Sequence, residues 1–325
     1  MATLVTGGTG FVGSNIVRAL AEGGHRVVSL DIAPPDDMVL KYLKPWGDRI
    51  TWLEGDVLDR EGMVNATATE GIDKIVHAAA YTGTRQDIKN ADSHRFLDIN
   101  IGGTINLLEL ARRLSVTRFL FVSSSGVYAG GIRYPDDALR EEMRIFPNSL
   151  YAITKQTGEQ MTERYGHLHG FETVSVRLAS PYGPMERVTG HRGVMCLVYD
   201  WTRSAVRGEA IDMSRVIDDR DFIYVLDLAT AIQKVLDAPA LKHDVYNIGC
   251  GHRVTPGEMV AAIRQVCPGV TFKGDAPALP SVGLVYGRGP LDMGRLKELG
   301  YAPDHDFIAG LKEYMAWREE FPFKD

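Results

Sequence analysis

The sequence predicts an α/β fold in which a doubly wound parallel sheet precedes a smaller C-terminal lobe. Three observations predict it. In the first half of the chain, short apolar runs of β type alternate with longer helical patterns. A cluster of glycines lies between the first run and the first helical pattern. Beyond about residue 177 the alternation becomes irregular, and turns rich in glycine and proline become frequent. Alternating strands and helices form parallel sheets with helices on both faces.

The elements of the first half follow in a regular order. Candidate strands lie at 3–6, 26–30, 50–53, 74–77, 118–123 and 173–177. Candidate helices lie between them, at 11–22, 60–69, 92–114 and 151–169. Because crossover connections between parallel strands are nearly always right-handed, few topologies remain possible. Asp36 and Asp37 follow two prolines, and we expect them in a solvated turn.

The rest of the chain contains fewer regular elements. We predict helices at 194–206, 225–237 and 256–266, and a short strand at 245–248. We therefore expect a first domain at 1–177, to which 225–250 returns. The second, smaller lobe is expected at 178–325, partly interleaved with the first domain.

Composition excludes several classes of partner. The 325 residues carry a net charge of −6 and no cluster of lysine and arginine, so neither nucleic acid nor an anionic membrane is expected to bind. The three cysteines lack Cys-x-x-Cys spacing and the nine histidines lack the spacing of metal ligands, so we expect no disulfide and no metal. No signal peptide and no apolar stretch of about 20 residues is present, and we expect a cytoplasmic protein.

The glycine cluster has the pattern of a dinucleotide-binding loop. Gly8, Gly10 and Gly13 fit G-x-G-x-x-G, and the pattern follows a predicted strand and opens a predicted helix. Such glycines permit a tight turn, the close approach of a pyrophosphate and close helix–strand packing. Asp31 ends the second predicted strand, where a carboxylate binds the adenosine ribose and repels a 2′-phosphate. The first domain is therefore predicted to be a Rossmann-type domain that binds NAD.

A tyrosine and a lysine suggest the chemistry. Tyr151 and Lys155 are four residues apart and share one face of a predicted helix. A nearby ammonium stabilises a tyrosine phenolate and lowers its pKa from about 10. A serine of the run at 123–125 could hold a substrate oxygen while Tyr151 moves the proton. With a nicotinamide that exchanges hydride, these groups interconvert an alcohol and a ketone.

Motifs in a fixed order extend this pattern over nearly the whole chain. They are TGGTGFVG (6–13), GDVLD (55–59), HAAA (77–80), NIGGT (100–104), SSSGVY (123–128), YAITK (151–155), YGP (182–184), DRDFIYVLDLATA (219–231) and LKELGYAP (296–303). In this set the chain resembles the extended short-chain dehydrogenase/reductase family, the NAD-dependent epimerase/dehydratase group. The resemblance implies NAD as cofactor, a substrate-binding C-terminal lobe, and a homodimer formed through the helices at 92–114 and 151–169.

The resemblance also implies roles for individual residues. Ser124 corresponds to the catalytic serine, with Ser125 as its nearest rival. Tyr151 corresponds to the catalytic base, and Lys155 to its partner, which also holds the nicotinamide ribose. The residues implied to contact the cofactor are Gly7, Gly10, Phe11, Val12, Gly13, Asp31, Asp56, Val57, Ala78, Ala79, Ala80, Asn100, Tyr151 and Lys155.

Departures from the family pattern concern the substrate. Dehydratases of the family carry an Asp–Glu pair where this chain has Ser125 and Gly126, so we do not expect 4,6-dehydration. Arg220 corresponds to an arginine that binds substrate phosphate in many epimerases. A salt bridge with Asp218, Asp219 or Asp221 is the alternative for Arg220. The residues implied to bind substrate are Ser124, Ser125, Ser180, Arg220 and Arg288.

Two enzymatic functions remain open. The first is an NAD-dependent sugar epimerase that acts on a nucleotide sugar through transient oxidation to a ketone. The alternative is a net dehydrogenase of a sugar, a sugar acid or another small hydroxy compound, and Ser180 favours it because nucleotide-sugar members usually carry asparagine there. A non-catalytic NAD-binding protein is a third possibility, which the complete set of Ser124, Tyr151 and Lys155 disfavours. Arg192, next to His191, is expected either to contact an anionic group or to lie in a solvated loop.

Overall fold

The computed structural model of the protein describes residues 1–83, 93–128, 138–189, 192–213, 220–274 and 289–323. The strands in these ranges are β1 (Ala2–Thr6), β2 (Val27–Asp31), β3 (Ile50–Glu54), β4 (Ile72–His77), β5 (Arg118–Ser124), β6 (Glu172–Leu178), β7 (Ser180–Tyr182), β8 (Ile211–Asp212), β9 (Phe222–Tyr224), β10 (Val245–Ile248) and β11 (Phe272–Lys273). Among them, seven form one parallel sheet in the order β10-β6-β5-β4-β1-β2-β3. This order confirms the predicted doubly wound sheet.

Helices join the strands and cover the sheet. They are α1 (Phe11–Glu22), α2 (Asp37–Leu43), α3 (Arg60–Thr67), α4 (Ser93–Leu97), α5 (Gly103–Leu114), α6 (Leu150–His169), α7 (Leu197–Val206), α8 (Val225–Asp237), α9 (Pro256–Val266), α10 (Gly294–Glu298) and α11 (Phe307–Glu320). Side-chain caps fix where several of them begin. Ser149 accepts a hydrogen bond from the Ala152 amide at 3.2 Å, so α6 begins immediately before Tyr151.

The central strands are buried on both faces because successive side chains point to opposite sides of the sheet. In β5, Phe119 and Phe121 belong to an apolar cluster that includes Leu107 of α5. Leu120 and Val122 alternate with them and belong to a second cluster. That second cluster also contains apolar residues of α1 and α8, among them Val17, Leu20, Leu228, Ile232 and Val235. The sheet is therefore the middle layer of three.

The C-terminal part of the chain has an apolar cluster of its own. It contains Trp201 of α7, Phe222 and Tyr224 of β9, Ile263 of α9 and Leu311 of α11. Two short parallel pairs, β7 with β9 and β8 with β11, lie in this part. The strand β7 follows β6 directly, so this part begins at the carboxyl edge of the main sheet.

Some predicted boundaries are wrong. The helix predicted at 92–114 is divided into α4, a π-helical turn at Asp98–Gly102, and α5. The helix predicted at 194–206 begins at Leu197, and the one predicted at 60–69 ends at Thr67. The turn expected at Asp36 and Asp37 is instead the start of α2, because the Asp36 carboxylate accepts a hydrogen bond from the Val39 amide at 2.9 Å.

The segment at 225–250 contains two elements of the main layers. The helix α8 packs with α1 in one apolar cluster, and β10 pairs with β6 at the edge of the sheet.

In the described ranges, no helix is both long and apolar enough to span a bilayer. The same ranges contain no group of three or more histidine, cysteine, aspartate or glutamate side chains that could hold a metal ion.

Candidate active site

The glycine loop between β1 and α1 is shaped by two close backbone approaches. Gly7 has a φ of +69°, and a Cβ atom there would lie 2.8 Å from the Cα atom of Ala79. A Cβ atom at Gly13 would lie 1.9 Å from the Gly7 carbonyl oxygen. Side chains at these positions would fill the turn at the amino end of α1, where backbone amides and the helix dipole attract phosphate. The loop therefore has the shape that a dinucleotide pyrophosphate requires.

Asp31 lies beside this loop, at the carboxyl end of β2. Its Oδ2 atom accepts hydrogen bonds from the Thr9 amide at 3.0 Å and the Thr9 hydroxyl at 2.7 Å. The carboxylate is therefore held against the glycine loop, as the ribose-binding position requires. Asp56 lies after β3, where its carboxylate accepts a hydrogen bond from the Leu58 amide. The neighbouring Val57 is buried.

The loop after β4 carries Ala78, Ala79 and Ala80, which are all half-buried. His77 precedes them and bridges Thr6 and Thr104, with ring nitrogens 2.8 and 3.0 Å from the two hydroxyl oxygens. Burial lowers the pKa of His77 to about 3, so its ring is neutral and serves to hold β1, β4 and α5 together. The motif HAAA (77–80) contains this histidine, but the sequence predicts no role for it.

Asn100 lies in the π-helical turn and is buried. Its side-chain oxygen accepts a hydrogen bond from the Tyr81 amide, and its Nδ2 atom donates to the Tyr81 carbonyl and to Thr154 of α6. The amide thus connects the loop after β4 to the helix that carries Tyr151. π-Helical turns are frequent at functional sites, and this one directs the asparagine inward.

Tyr151 and Lys155 lie together on α6. The Lys155 ammonium is 5.7 Å from the centre of the Tyr151 ring and donates a 2.7 Å hydrogen bond to the Val122 carbonyl. Burial lowers the pKa of Lys155 to about 8, while the nearby Glu159 acts in the opposite direction. The lysine is therefore positively charged at neutral pH. Because Tyr151 is in the first turn of α6, the helix dipole adds a second positive potential near its phenol.

The serines at the end of β5 lie near the start of α6, which carries Tyr151. The Ser124 hydroxyl accepts a hydrogen bond from the Gly126 amide at 3.1 Å. A Cβ atom at Gly126 would lie 3.2 Å from that hydroxyl and 3.6 Å from the Ala152 methyl group, next to Tyr151. Position 126 thus contacts both Ser124 and the start of α6. Ser125 is buried and lines a separate cavity described below.

A buried ion pair connects the strands and the helix near these candidate catalytic residues. Arg177 of β6 contacts Glu159 of α6 through two hydrogen bonds, at 3.0 and 2.8 Å, and both side chains are less than 10% exposed. The Ser123 hydroxyl also donates to Glu159, and Arg177 donates to the Tyr128 hydroxyl at 2.7 Å. This cluster joins the end of β5, which carries Ser124, to the helix that carries Lys155. Sequence reasoning missed it because its members are far apart in the chain.

Three of the predicted substrate-binding residues line one small cavity. Ser125, Ser180 and Arg220 line it together, along with Ala179, Asp221, Gly289 and Leu291. The pairing of β7 with β9 produces this arrangement, since the Ser180 amide donates to the Asp221 carbonyl at 3.0 Å. The Asp221 carboxylate accepts hydrogen bonds from the amides of Cys250, Gly251 and Leu291. Arg288, Asp218, Asp219 and His191 lie outside the described residues.

Arg192 is more buried than a solvated loop would allow. Its side chain is 24% exposed, and its guanidinium donates a 2.6 Å hydrogen bond to the fully buried carboxylate of Glu186. The guanidinium also lies 5.1 Å from the centre of the Phe11 ring, at the start of α1. The expectation of a solvated loop is therefore wrong for this side chain. The observed contact is with a carboxylate of the protein itself, Glu186, and contact with an anionic group of a substrate stays a prediction.

Comparison with known proteins identifies the family. The family model described as "NAD dependent epimerase/dehydratase family" matches residues 3–249. The chain belongs to this family. It is an enzyme family, and NAD is its cofactor, in agreement with the glycine loop and with Asp31.

Named relatives cover almost the whole length of this epimerase/dehydratase. A dTDP-glucose 4,6-dehydratase of Streptomyces niveus is 32% identical over 98% of this chain and 92% of its own. A crystal structure of UDP-glucose 4-epimerase from Thermotoga maritima with UDP-glucose is 26% identical, covers 99% of both chains and superposes with a TM-score of 0.82. A Thermus thermophilus UDP-glucose 4-epimerase solved with NAD is also 26% identical, covers 97% of this chain and 98% of its own, and has a TM-score of 0.81.

Proposed function

We propose that the protein is a sugar 4-epimerase that acts on a nucleotide sugar. The observation that carries the proposal is the environment of Ser124. Tyr151 and Lys155 are present for alcohol oxidation, whereas position 126, which contacts Ser124, has no side chain. A 4,6-elimination needs an acid and a base at 125 and 126, and neither Ser125 nor Gly126 can supply them. The site therefore supports reversible oxidation without elimination.

Ser124, Tyr151 and Lys155 have proposed tasks in the chemistry, and Tyr151 and Lys155 are also proposed to contact the cofactor, Lys155 at the nicotinamide ribose. Ser124 holds the substrate hydroxyl by a hydrogen bond, and Tyr151 removes its proton and later returns it. Lys155 keeps the Tyr151 phenol acidic by its positive charge, which requires a pH below about 8. Bound at this site, the cofactor would supply reversible hydride transfer at the ring carbon. The glycines Gly7, Gly10 and Gly13, with Phe11, Val12, Asp31, Asp56, Val57, Ala78, Ala79, Ala80 and Asn100, are proposed to surround the cofactor.

Retention of the cofactor separates an epimerase from the net dehydrogenase. An epimerase regenerates NAD in each cycle, whereas a dehydrogenase must exchange NADH for NAD. We expect the purified protein to contain tightly bound NAD and to convert UDP-glucose or UDP-glucuronate into the 4-epimer without added cofactor. The bound NAD is released by denaturing the protein, reduced enzymatically and quantified by the absorbance of the NADH formed. Product analysis by NMR measures the epimerisation. Stoichiometric NADH from a free sugar or sugar acid would establish the dehydrogenase instead.

Arg220 is proposed to bind the substrate diphosphate. It lines the cavity that Ser125 and Ser180 also line, and the residue is exposed to solvent. Arg220→Ala removes a charge-assisted hydrogen bond of about 1.5–3 kcal/mol. We expect kcat/KM for the nucleotide sugar to fall by about 10- to 150-fold, as steady-state kinetics will show. Arg264→Ala, an exposed arginine of α9, is the matched control, and equal effects of the two changes would contradict the assignment.

We also propose the division of the chain, its oligomeric state and its location. Residues 1–177 with 225–250 bind NAD, and the rest of 178–325 binds the substrate. A cytoplasmic homodimer is proposed to form through α5 and α6. Ile105 of α5 and Ile153 of α6 are apolar but about 40% exposed, and so is Leu97 of α4, which precedes α5 in the chain. Light scattering of dilute protein should give twice the chain mass, and a monomer mass would contradict the dimer.

A further inference from the structure

Arg187 lies between the glycine loop and the loop that follows β2. It belongs to the segment after β7, far from both loops in the sequence. Its Nη2 atom is 3.5 Å from the Thr9 carbonyl oxygen and 3.3 Å from a carboxylate oxygen of Asp36. The side chain is only 20% exposed, so this position is fixed by packing as well as by charge. No motif in the sequence pointed to this arginine.

Thr9 connects Arg187 to the predicted ribose-binding acid. The amide and hydroxyl of Thr9 donate to Asp31, while its carbonyl oxygen accepts the hydrogen bond from Arg187. Asp31 and Arg187 therefore contact the same residue of the glycine loop, and Arg187 also forms an ion pair with Asp36. The three charged side chains, Asp31, Arg187 and Asp36, form a group that we call the ribose-end triplet.

Acidic and basic residues at this place have opposite consequences for cofactor choice. A carboxylate after the second strand binds the 2′-hydroxyl of NAD, whereas a nearby arginine accommodates the 2′-phosphate of NADP. We propose that Arg187 is able to bind a 2′-phosphate, and that the negative charges of Asp31 and Asp36 together prevent this binding in the wild type. Preference for NAD over NADP then depends on the whole ribose-end triplet and not on Asp31 alone.

The charges of the triplet explain this division of roles. With both carboxylates ionised, the triplet carries a net charge of −1, and a phosphate monoester adds about −1.5 to −2 at neutral pH. NADP is therefore repelled although an arginine is present. Neutralising Asp31 and Asp36 leaves Arg187 as a cation next to Thr9, where its guanidinium can form paired hydrogen bonds with phosphate oxygens.

Direct binding measurements on three variants test the proposal. Titration calorimetry gives the affinities of NAD and NADP for the wild type, for Asp31→Asn/Asp36→Asn, and for the same double variant with Arg187→Met. Asparagine at 36 keeps the cap of α2, and methionine at 187 keeps an apolar stem. We expect NADP affinity to rise about 10- to 150-fold in the double variant and to lose most of that gain when Arg187 is replaced.

The affinity for NAD provides the internal control. We expect it to differ by no more than about twofold between the double and the triple variant, because a 2′-hydroxyl gives Arg187 no charged partner. Replacing Arg264 instead of Arg187 removes the same charge elsewhere and should leave the gain in NADP affinity intact. The single variant Asp31→Asn, with and without Arg187→Met, provides the same comparison if the double variant does not fold.

Two results would overturn the proposal. One is a double variant that binds NAD but gains no affinity for NADP, which would show that Arg187 cannot reach the 2′-phosphate. The other is a gain in NADP affinity that survives the replacement of Arg187, which would show that repulsion by the carboxylates is the whole effect.

Discussion

Replacing Tyr151 by phenylalanine is expected to lower kcat by about 10²–10⁴-fold, the usual contribution of a general acid–base group. The substitution removes the phenolic oxygen and keeps the ring, which lies 5.7 Å from the Lys155 ammonium. The ring contacts of α6 should therefore persist, and so should the affinity for NAD. Steady-state kinetics with a nucleotide sugar and a separate titration of NAD measure the two quantities.

The same helix offers a matched control for this variant. Tyr165 is a half-buried tyrosine of α6 whose hydroxyl donates to Glu109 of α5 at 2.9 Å, so Tyr165→Phe also removes one hydrogen-bonded phenol. We expect that change to leave kcat within about twofold, as for other substitutions near the surface. A Tyr151→Phe enzyme with the kcat of the wild type would exclude Tyr151 as the group that transfers the proton.

The second large effect is expected on stability, at the buried pair of Glu159 and Arg177. Glu159→Leu leaves the Arg177 guanidinium buried, 6% exposed, without the carboxylate that accepts two of its hydrogen bonds. Removing one partner of a buried ion pair costs about 3–5 kcal/mol, because the remaining charge is neither solvated nor paired. We expect the free energy of unfolding, measured by urea denaturation, to fall by that amount.

Two further variants show whether the charge causes the loss. Glu163 lies one helical turn after Glu159 and is exposed, so Glu163→Leu should change stability by no more than about 0.5 kcal/mol. The double variant Glu159→Leu/Arg177→Met should be more stable than Glu159→Leu alone, since it removes both charges. If Glu159→Leu and Glu163→Leu have the same effect, the ion pair does not stabilise the fold.

Regular, local patterns were the features that sequence reasoning could predict. The strand β1, the glycine loop and α1 occupy consecutive residues, and apolar spacing together with Gly10 and Gly13 is sufficient to recognise them. The start of α2 was missed because Asp36 after two prolines was interpreted as a turn, although aspartate is also a common helix cap. The local pattern allowed both interpretations, and only the Val39 hydrogen bond decides between them.

Contacts between distant segments could not be predicted in the same way. Glu159 and Arg177 are both charged, and composition gave no reason to bury either of them. Their pairing depends on the packing of α6 against β6, and the contact of Arg187 with Thr9 depends on the path of the chain after β7. Such pairs are specified by tertiary structure, which a single sequence does not reveal residue by residue.

The position of β10 and α8 has a consequence for synthesis on the ribosome. A nascent chain emerges from its amino end, so β1 and α1 are exposed long before β10 and α8 have been made. Until then the apolar side of α1, with Val17 and Leu20, has no cover from α8, and the edge of β6 has no strand beside it. Chains that terminate before residue 248 should therefore be prone to aggregation and dependent on chaperones. They should not form a folded domain that binds NAD.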